Sequence, residues 1–112
     1  MVALSQMLPT DPDERERVRR VLREHPGLEA FIERVSRHAA EVFPGAEMML
    51  DTRQYDDWDP PIRLSVTAPY TDREAFSRLD REWTSWLLAQ PGYDPSRIFV
   101  TVLPHNLHRR VA

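Results

Sequence analysis

The sequence runs to 112 residues with a formal net charge of −3 and no cysteine. That is one domain's worth of chain, long enough to bury roughly two-thirds of the surface its unfolded form exposes. The missing thiols exclude disulfides, cysteine nucleophiles and sulfur-ligated zinc, and no stretch approaches the ~18–20 uncharged apolar residues of a membrane span.

Met1–Thr10 is mildly apolar, with no basic start and no sustained apolar run. A signal peptide is therefore not expected, and a cytoplasmic setting is the default. All 15 basic residues are arginine, a bias that GC-rich codons explain and that points to a GC-rich bacterium as the source. Phosphate recognition through dense arginine calls for net positive charge or a basic patch. An acidic chain fits that poorly, so no nucleic-acid partner is expected.

The three glycines all follow prolines, at Pro26-Gly27, Pro44-Gly45 and Pro91-Gly92. These pairs mark turns and leave no glycine for a phosphate-cradling loop. After an N-terminal arm (residues 1–10), Asp11 caps a first helix, with Pro12 at its first position and Glu14 closing a capping box. Val18, Val21 and Leu22 form its apolar stripe. Its five acids and five arginines over residues 11–24 balance, as in a solvated, ion-paired face with Asp13–Arg17 and Glu16–Arg20 at i,i+4 spacing. A second helix spans Gly27 to Phe43, with the strongest apolar stripe in the chain: Leu28, Phe31, Ile32, Val35, Ala39, Val42 and Phe43. The two helices are expected to form a hairpin about His25-Pro26-Gly27.

The period then changes from helical to alternating. Ala46, Met48 and Leu50 alternate with Glu47, Met49 and Asp51; Ile62, Leu64, Val66 and Ala68 alternate with Arg63, Ser65 and Thr67. Tyr55-Asp56-Asp57-Trp58-Asp59-Pro60-Pro61 forms the polar loop between these strands. Thr71-Asp72-Arg73-Glu74 is a second capping box, with Tyr70 placed to staple back onto Ala75. The helix it opens carries Ala75, Phe76, Leu79, Trp83, Trp86 and Leu87 on one face, and ion pairs Glu74–Arg78 and Arg78–Glu82 are expected on the other. Arg97–Leu103 is a nearly all-apolar strand ended by Pro104, and residues 104–112 form a tail with His105 and His108.

The expected fold is therefore α+β, in the order α-α-β-β-α-β. A three-stranded mixed sheet has helices covering one face, and the last strand is parallel to the second because a helix joins them. Apolarity places the last strand, or the first, at the centre of the sheet, and leaves Ile62–Ala68 as an edge open to pairing.

No catalytic residue, metal site or cofactor is expected. The acidic loop lacks the alternating ligands and central glycine of a calcium loop. His105 and His108 lack a third ligand, and no serine lies in a Gly-x-Ser-x-Gly elbow. What remains is aromatic and apolar surplus. Met49, Phe99 and Leu103 fall out of phase with the inward strand residues, and a patch of that kind marks a partner or second subunit. Tyr55 and Trp58 stand at the acidic loop, and Trp86 lies on the third helix beside the core residue Trp83.

From Ala46 to Leu103 the chain resembles a group of small uncharacterised bacterial α+β proteins, through Leu79-Asp80-Arg81-Glu82-Trp83, Trp86 and the strand Ile98–Leu103. The resemblance implies a fold and brings no activity with it. The expected function is a non-enzymatic protein-interaction module, as a homodimer or as the small partner of an unidentified protein; size and acidity also permit an antitoxin-like role. The alternative is a small-molecule binder or enzyme with a pocket between the third helix and the sheet, lined by Trp83, Trp86, Tyr70 and an arginine.

Overall fold

At Gly27 and Gly45 the backbone φ is +88° and +81°, a left-handed conformation that side chains enter only at a cost. Gly45 has a second constraint, because a Cβ there would meet the Pro69 ring at 3.4 Å. These turns divide a computed structural model that describes residues 4–107. Its elements are α1 (Leu4–Met7), α2 (Pro12–Glu24), α3 (Leu28–Val42), β1 (Glu47–Asp51), β2 (Ile62–Tyr70), α4 (Arg73–Leu88) and β3 (Ile98–Asn106). The α+β class, the mixed three-stranded sheet and the expected elements are all present, with the short α1 added at the start.

Alternation fixes the two faces of the sheet. Leu50, Ile62, Leu64, Val66, Ala68 and Ile98 are buried with Val18 of α2, Phe31, Ile32, Val35 and Ala39 of α3, and Trp83 and Leu87 of α4. Burying each large aliphatic side chain contributes about 1.5–3 kcal/mol, so this single layer contact dominates the stability. The N-terminal segment is part of it. Met7 is completely buried and Ser36 donates to its sulfur at 3.2 Å; Leu4 and Leu8 pack partly buried against the same core, so the segment of residues 4–10 is anchored to it through these side chains.

The strand order is β1-β2-β3, which corrects the expectation from apolarity. The segment Ile62–Ala68 is the central strand, and the most apolar run, in β3, is an edge. β1 pairs antiparallel with β2, placing Asp51 opposite Arg63 and Met49 opposite Ser65. β3 pairs parallel with β2, placing Phe99 opposite Arg63, Thr101 opposite Ser65 and Leu103 opposite Thr67.

Pro104 does not end β3, which continues to Asn106. The Leu107 N–H donates to the Tyr70 C=O at 2.9 Å. By alternation, odd-numbered residues of β3 face β2 and even-numbered ones face outward, so the N–H that proline lacks lies on the free side. Pro69 is tolerated in β2 for a related reason: it lies beyond the five residues that pair with β1.

The helix starts also differ in detail. Asp11 caps α2 as expected, accepting from the Asp13 N–H at 3.4 Å. Glu14, however, does not close a capping box. Its carboxylate accepts from the Thr52 N–H at 2.7 Å and the Thr52 hydroxyl at 2.6 Å, tying α2 to the end of β1. In α4 the cap is Asp72, which accepts from the N–H groups of Glu74 and Ala75, one residue later than the expected box. Tyr70 accordingly packs on Phe76, at 5.0 Å between ring centroids, rather than on Ala75. The arginines of α2 choose other partners than the i,i+4 ones: Arg17 pairs with Glu14, and Arg23 with Glu16. Among the described residues, α4 shows no Glu74–Arg78 or Arg78–Glu82 ion pair within 4 Å.

Candidate functional site

The face of the sheet away from the helices carries Glu47, Met49 and Asp51 from β1, Arg63, Ser65 and Thr67 from β2, and Phe99, Thr101 and Leu103 from β3. These residues align in three cross-strand rows. Met49, Phe99 and Leu103 are 54%, 50% and 47% exposed. The out-of-phase reading thus places all three on one open face, although Met49 lies on the strand opposite the other two.

One end of this face is closed by the loop of residues 52–61. Two of its three carboxylates are used to build the loop: Asp59 accepts from the Tyr55 N–H and Asp56 from the Trp58 N–H, each at 2.7 Å. The Gln54 amide donates to the Asp59 C=O at 2.9 Å. The fold brings Tyr55 over the sheet, where Arg53, Tyr55, Asp59, Pro60, Arg63 and Phe99 line a hollow of about 130 Å³. Arg63 makes two hydrogen bonds to Asp51 across the strands, at 2.8 and 3.2 Å, and its guanidinium stands 5.9 Å from the centre of the Tyr55 ring.

The Asp51 carboxylate, outweighing partial burial, holds the Arg63 pKa above its ordinary value. Hydrogen bonds from Arg53 and then Arg63 hold the Tyr55 phenol below the usual tyrosine range. Arg53, Arg63 and Pro60 were not singled out from the sequence. Arg63 and Phe99 have the same out-of-phase signal, but only the β2–β3 register shows that they are neighbours.

The other two residues stand apart. Trp58 is 92% exposed at the loop tip and does not line the hollow. Trp86 is on the helix layer, partly buried, with the His38 ring stacked on it at 3.9 Å and Trp83 at 5.5 Å. Trp83 is buried, with the Phe43 ring edge-on to it at 6.0 Å.

Among the described residues, no group of three His, Asp or Glu side chains is placed to hold a metal ion. His105 is exposed at the end of β3; His108 lies outside the described residues, as do Arg109 and Arg110. No described helix is long and apolar enough to cross a membrane. Comparison with protein-family models, with curated proteins and with solved structures finds no match in any of the three.

Proposed function

We propose that the chain is a non-enzymatic protein-interaction module whose apolar open-face residues, in the absence of another partner, draw it into association with a second copy. The observation that carries this reading is that Met49, Phe99 and Leu103, each about half exposed, lie on the sheet face that no described helix covers. A face of this kind is more typical of a contact than of a wet surface. Homodimers with two-fold symmetry are the simplest way to cover one. A nucleic-acid partner fits less well, because Arg15, Arg17 and Arg23 of α2 are already engaged by the Pro9 and Thr10 carbonyls, Glu14 and Glu16 respectively.

The test is light scattering with Phe99→Asp. The wild-type chain is expected to reach dimer mass as concentration rises, and the variant to remain monomeric with its helical circular dichroism intact. A wild-type chain that stays monomeric at the highest attainable concentration would overturn the reading. A second reading, a binder of a small anion with an apolar body, is supported by the hollow that joins Arg53 and Arg63 to Tyr55 and Phe99. It requires no association, so the same experiment separates the two.

A further inference from the structure

The open face runs out to β3, and the edge of β3 is the least defended part of the sheet. Edge strands are usually protected by charge, by proline or by a covering element. β1, the opposite edge, has Glu47 and Asp51 in it, with α1 and α2 packed beside it. In β3, Ile98–Leu103 contains no charged residue, and among the described residues β2 is the one strand that pairs with it.

Which groups of β3 are free follows from its hydrogen bonds. Because Leu107 donates to Tyr70, odd-numbered residues are bonded to β2 and even-numbered residues turn their N–H and C=O outward. Ile98 confirms the phase, since its N–H goes back to the Asp94 C=O at 3.2 Å. Between Ile98 and Pro104 the outward N–H groups are therefore those of Val100 and Val102, and Pro104 removes the next one. The side chains of these valines face the helix layer yet are only partly buried, so that layer stops short of the β3 edge.

We infer that two copies of the chain join edge to edge through antiparallel pairing of β3, about a two-fold axis at Thr101 and perpendicular to the sheet. This rests on the self-association proposed above and names its geometry: Phe99 and Leu103 meet the second copy, while Met49, on the opposite edge strand, stays on the open face. The register is the one in which each free group finds its match. Val100 exchanges both main-chain hydrogen bonds with Val102 of the second copy, and Val102 with Val100. Phe99 then lies across from Leu103 of the second copy, and Thr101 across from Thr101. Both are non-hydrogen-bonded pairs, in which Cα atoms are only about 4.5 Å apart and side chains touch.

The two exposed apolar residues of β3 thus cover each other twice, and Val100 and Val102 do the same on the helix side. Moving the axis to Val102 would set Val100 against Pro104 and lose a donor. Moving it to Val100 would leave Leu103 opposite Arg97. The product is a six-stranded sheet, β1-β2-β3-β3-β2-β1, with helices on one face. A contact made by one strand edge and its flanking side chains falls at the small end of specific interfaces, below about 1,200 Å² in total.

The experiment uses the full chain. Val102→Pro removes one outward N–H without touching the β2 ladder and is expected to yield a folded monomer at concentrations where the wild type is a dimer. The chain has no cysteine, so Thr101→Cys introduces a single thiol. At the axis its Cα–Cα distance suits a disulfide, which spans about 4.4–6.8 Å, and mild oxidation is expected to convert the variant to a covalent dimer. Ser65→Cys, on the same face but one strand further in, is expected to remain uncrosslinked.

A dimer that survives Val102→Pro and crosslinks through Ser65→Cys but not Thr101→Cys would overturn edge pairing and leave face-to-face self-association standing. A wild type monomeric at every concentration would overturn both. Should Val102→Pro fail to fold, the two cysteine variants decide the matter.

Discussion

Leu50 and Met49 are adjacent in β1, and one is completely buried while the other is 54% exposed. Ile98 and Phe99 repeat the contrast in β3, at 1% and 50%. The helix-side face of this sheet is apolar, whereas the open face sets three apolar residues, Met49, Phe99 and Leu103, among polar and charged ones. On the helix side, apolar residues are consumed by Phe31, Ile32, Val35 and Trp83. On the open side, apolar residues of similar size stand among Asp51, Arg63, Ser65 and Thr67 with no described helix over them. Hydrophobicity at a single position therefore does not report which face is the core. The phase of alternation does, and the surplus on the wrong phase is where function is most economically sought.

The largest expected effect breaks the covered face. Leu50→Ala or Ile98→Ala should destabilise the chain by about 2–5 kcal/mol, the cost of lost transfer energy plus a cavity, and Trp83→Ala by about 3–5 kcal/mol. Met49→Ala, one residue from Leu50, should cost less than about 1 kcal/mol, as for surface substitutions generally. Urea denaturation at a concentration low enough to keep the protein monomeric makes the comparison. Equal losses at Leu50 and Met49 would mean that the open face is also core.

A smaller effect tests how the helix layer is joined to the sheet. Burial alone would raise the Glu14 pKa, but hydrogen bonds from the Thr52 side chain, Arg17 and the Thr52 N–H outweigh it and hold the carboxyl below the ordinary range. A folded-state pKa below the unfolded value means that the contribution is fully present above the unfolded value, about 4.3. It is lost as pH falls from there through the folded value. Glu14→Gln should lower stability at neutral pH by about 1–3 kcal/mol, because Thr52 loses a charged acceptor. The difference between variant and wild type should shrink as the solution is acidified below pH 4. A difference that stays constant with pH would assign the effect to packing instead.

Much of this architecture was legible because it is local. The change from helical to alternating period, the three Pro-Gly turns and the phase of Ile62, Leu64, Val66 and Ala68 each depend on neighbours in sequence, and each is present in the fold. The features that escaped are non-local. Strand order was inferred from apolarity, which failed because the apolar content of β3 includes Phe99 and Leu103 on the open face. Glu14 looked like a capping residue because that rule is local, whereas Thr52 is 38 residues away and binds the carboxylate in competition with the helix end. Residues 4–10 are too short to show a period, so the burial of Met7 had no signature. On the candidate surface, Met49, Phe99 and Leu103 were readable from phase. The hollow beside them was not, because Arg53, Arg63 and Tyr55 meet only once the loop is folded over the sheet.

The smallest expected effect asks whether that loop is held in place. Tyr55 is 73% exposed, so nothing in its packing alone would fix it. Its phenol accepts from Arg53 at 3.4 Å, and hydrogen bonds from Arg53 and then Arg63 favour the phenolate, so Tyr55 should ionise below the usual tyrosine range. Absorbance titration of the phenolate band, with Tyr55→Phe subtracted from wild type, isolates it from Tyr70 and Tyr93. Arg53→Ala should return the titration towards the ordinary value, and added salt should do the same in part, since exposed charge interactions are screened over about 10 Å at 0.1 M. If Tyr55 titrates as a free tyrosine in wild type and variant alike, the loop is not held over Arg63, and the open face is a bare sheet without a walled hollow. If it titrates low, the apolar patch has an ordered polar wall at one end, and a partner covering Phe99 must also meet Arg53 and Tyr55.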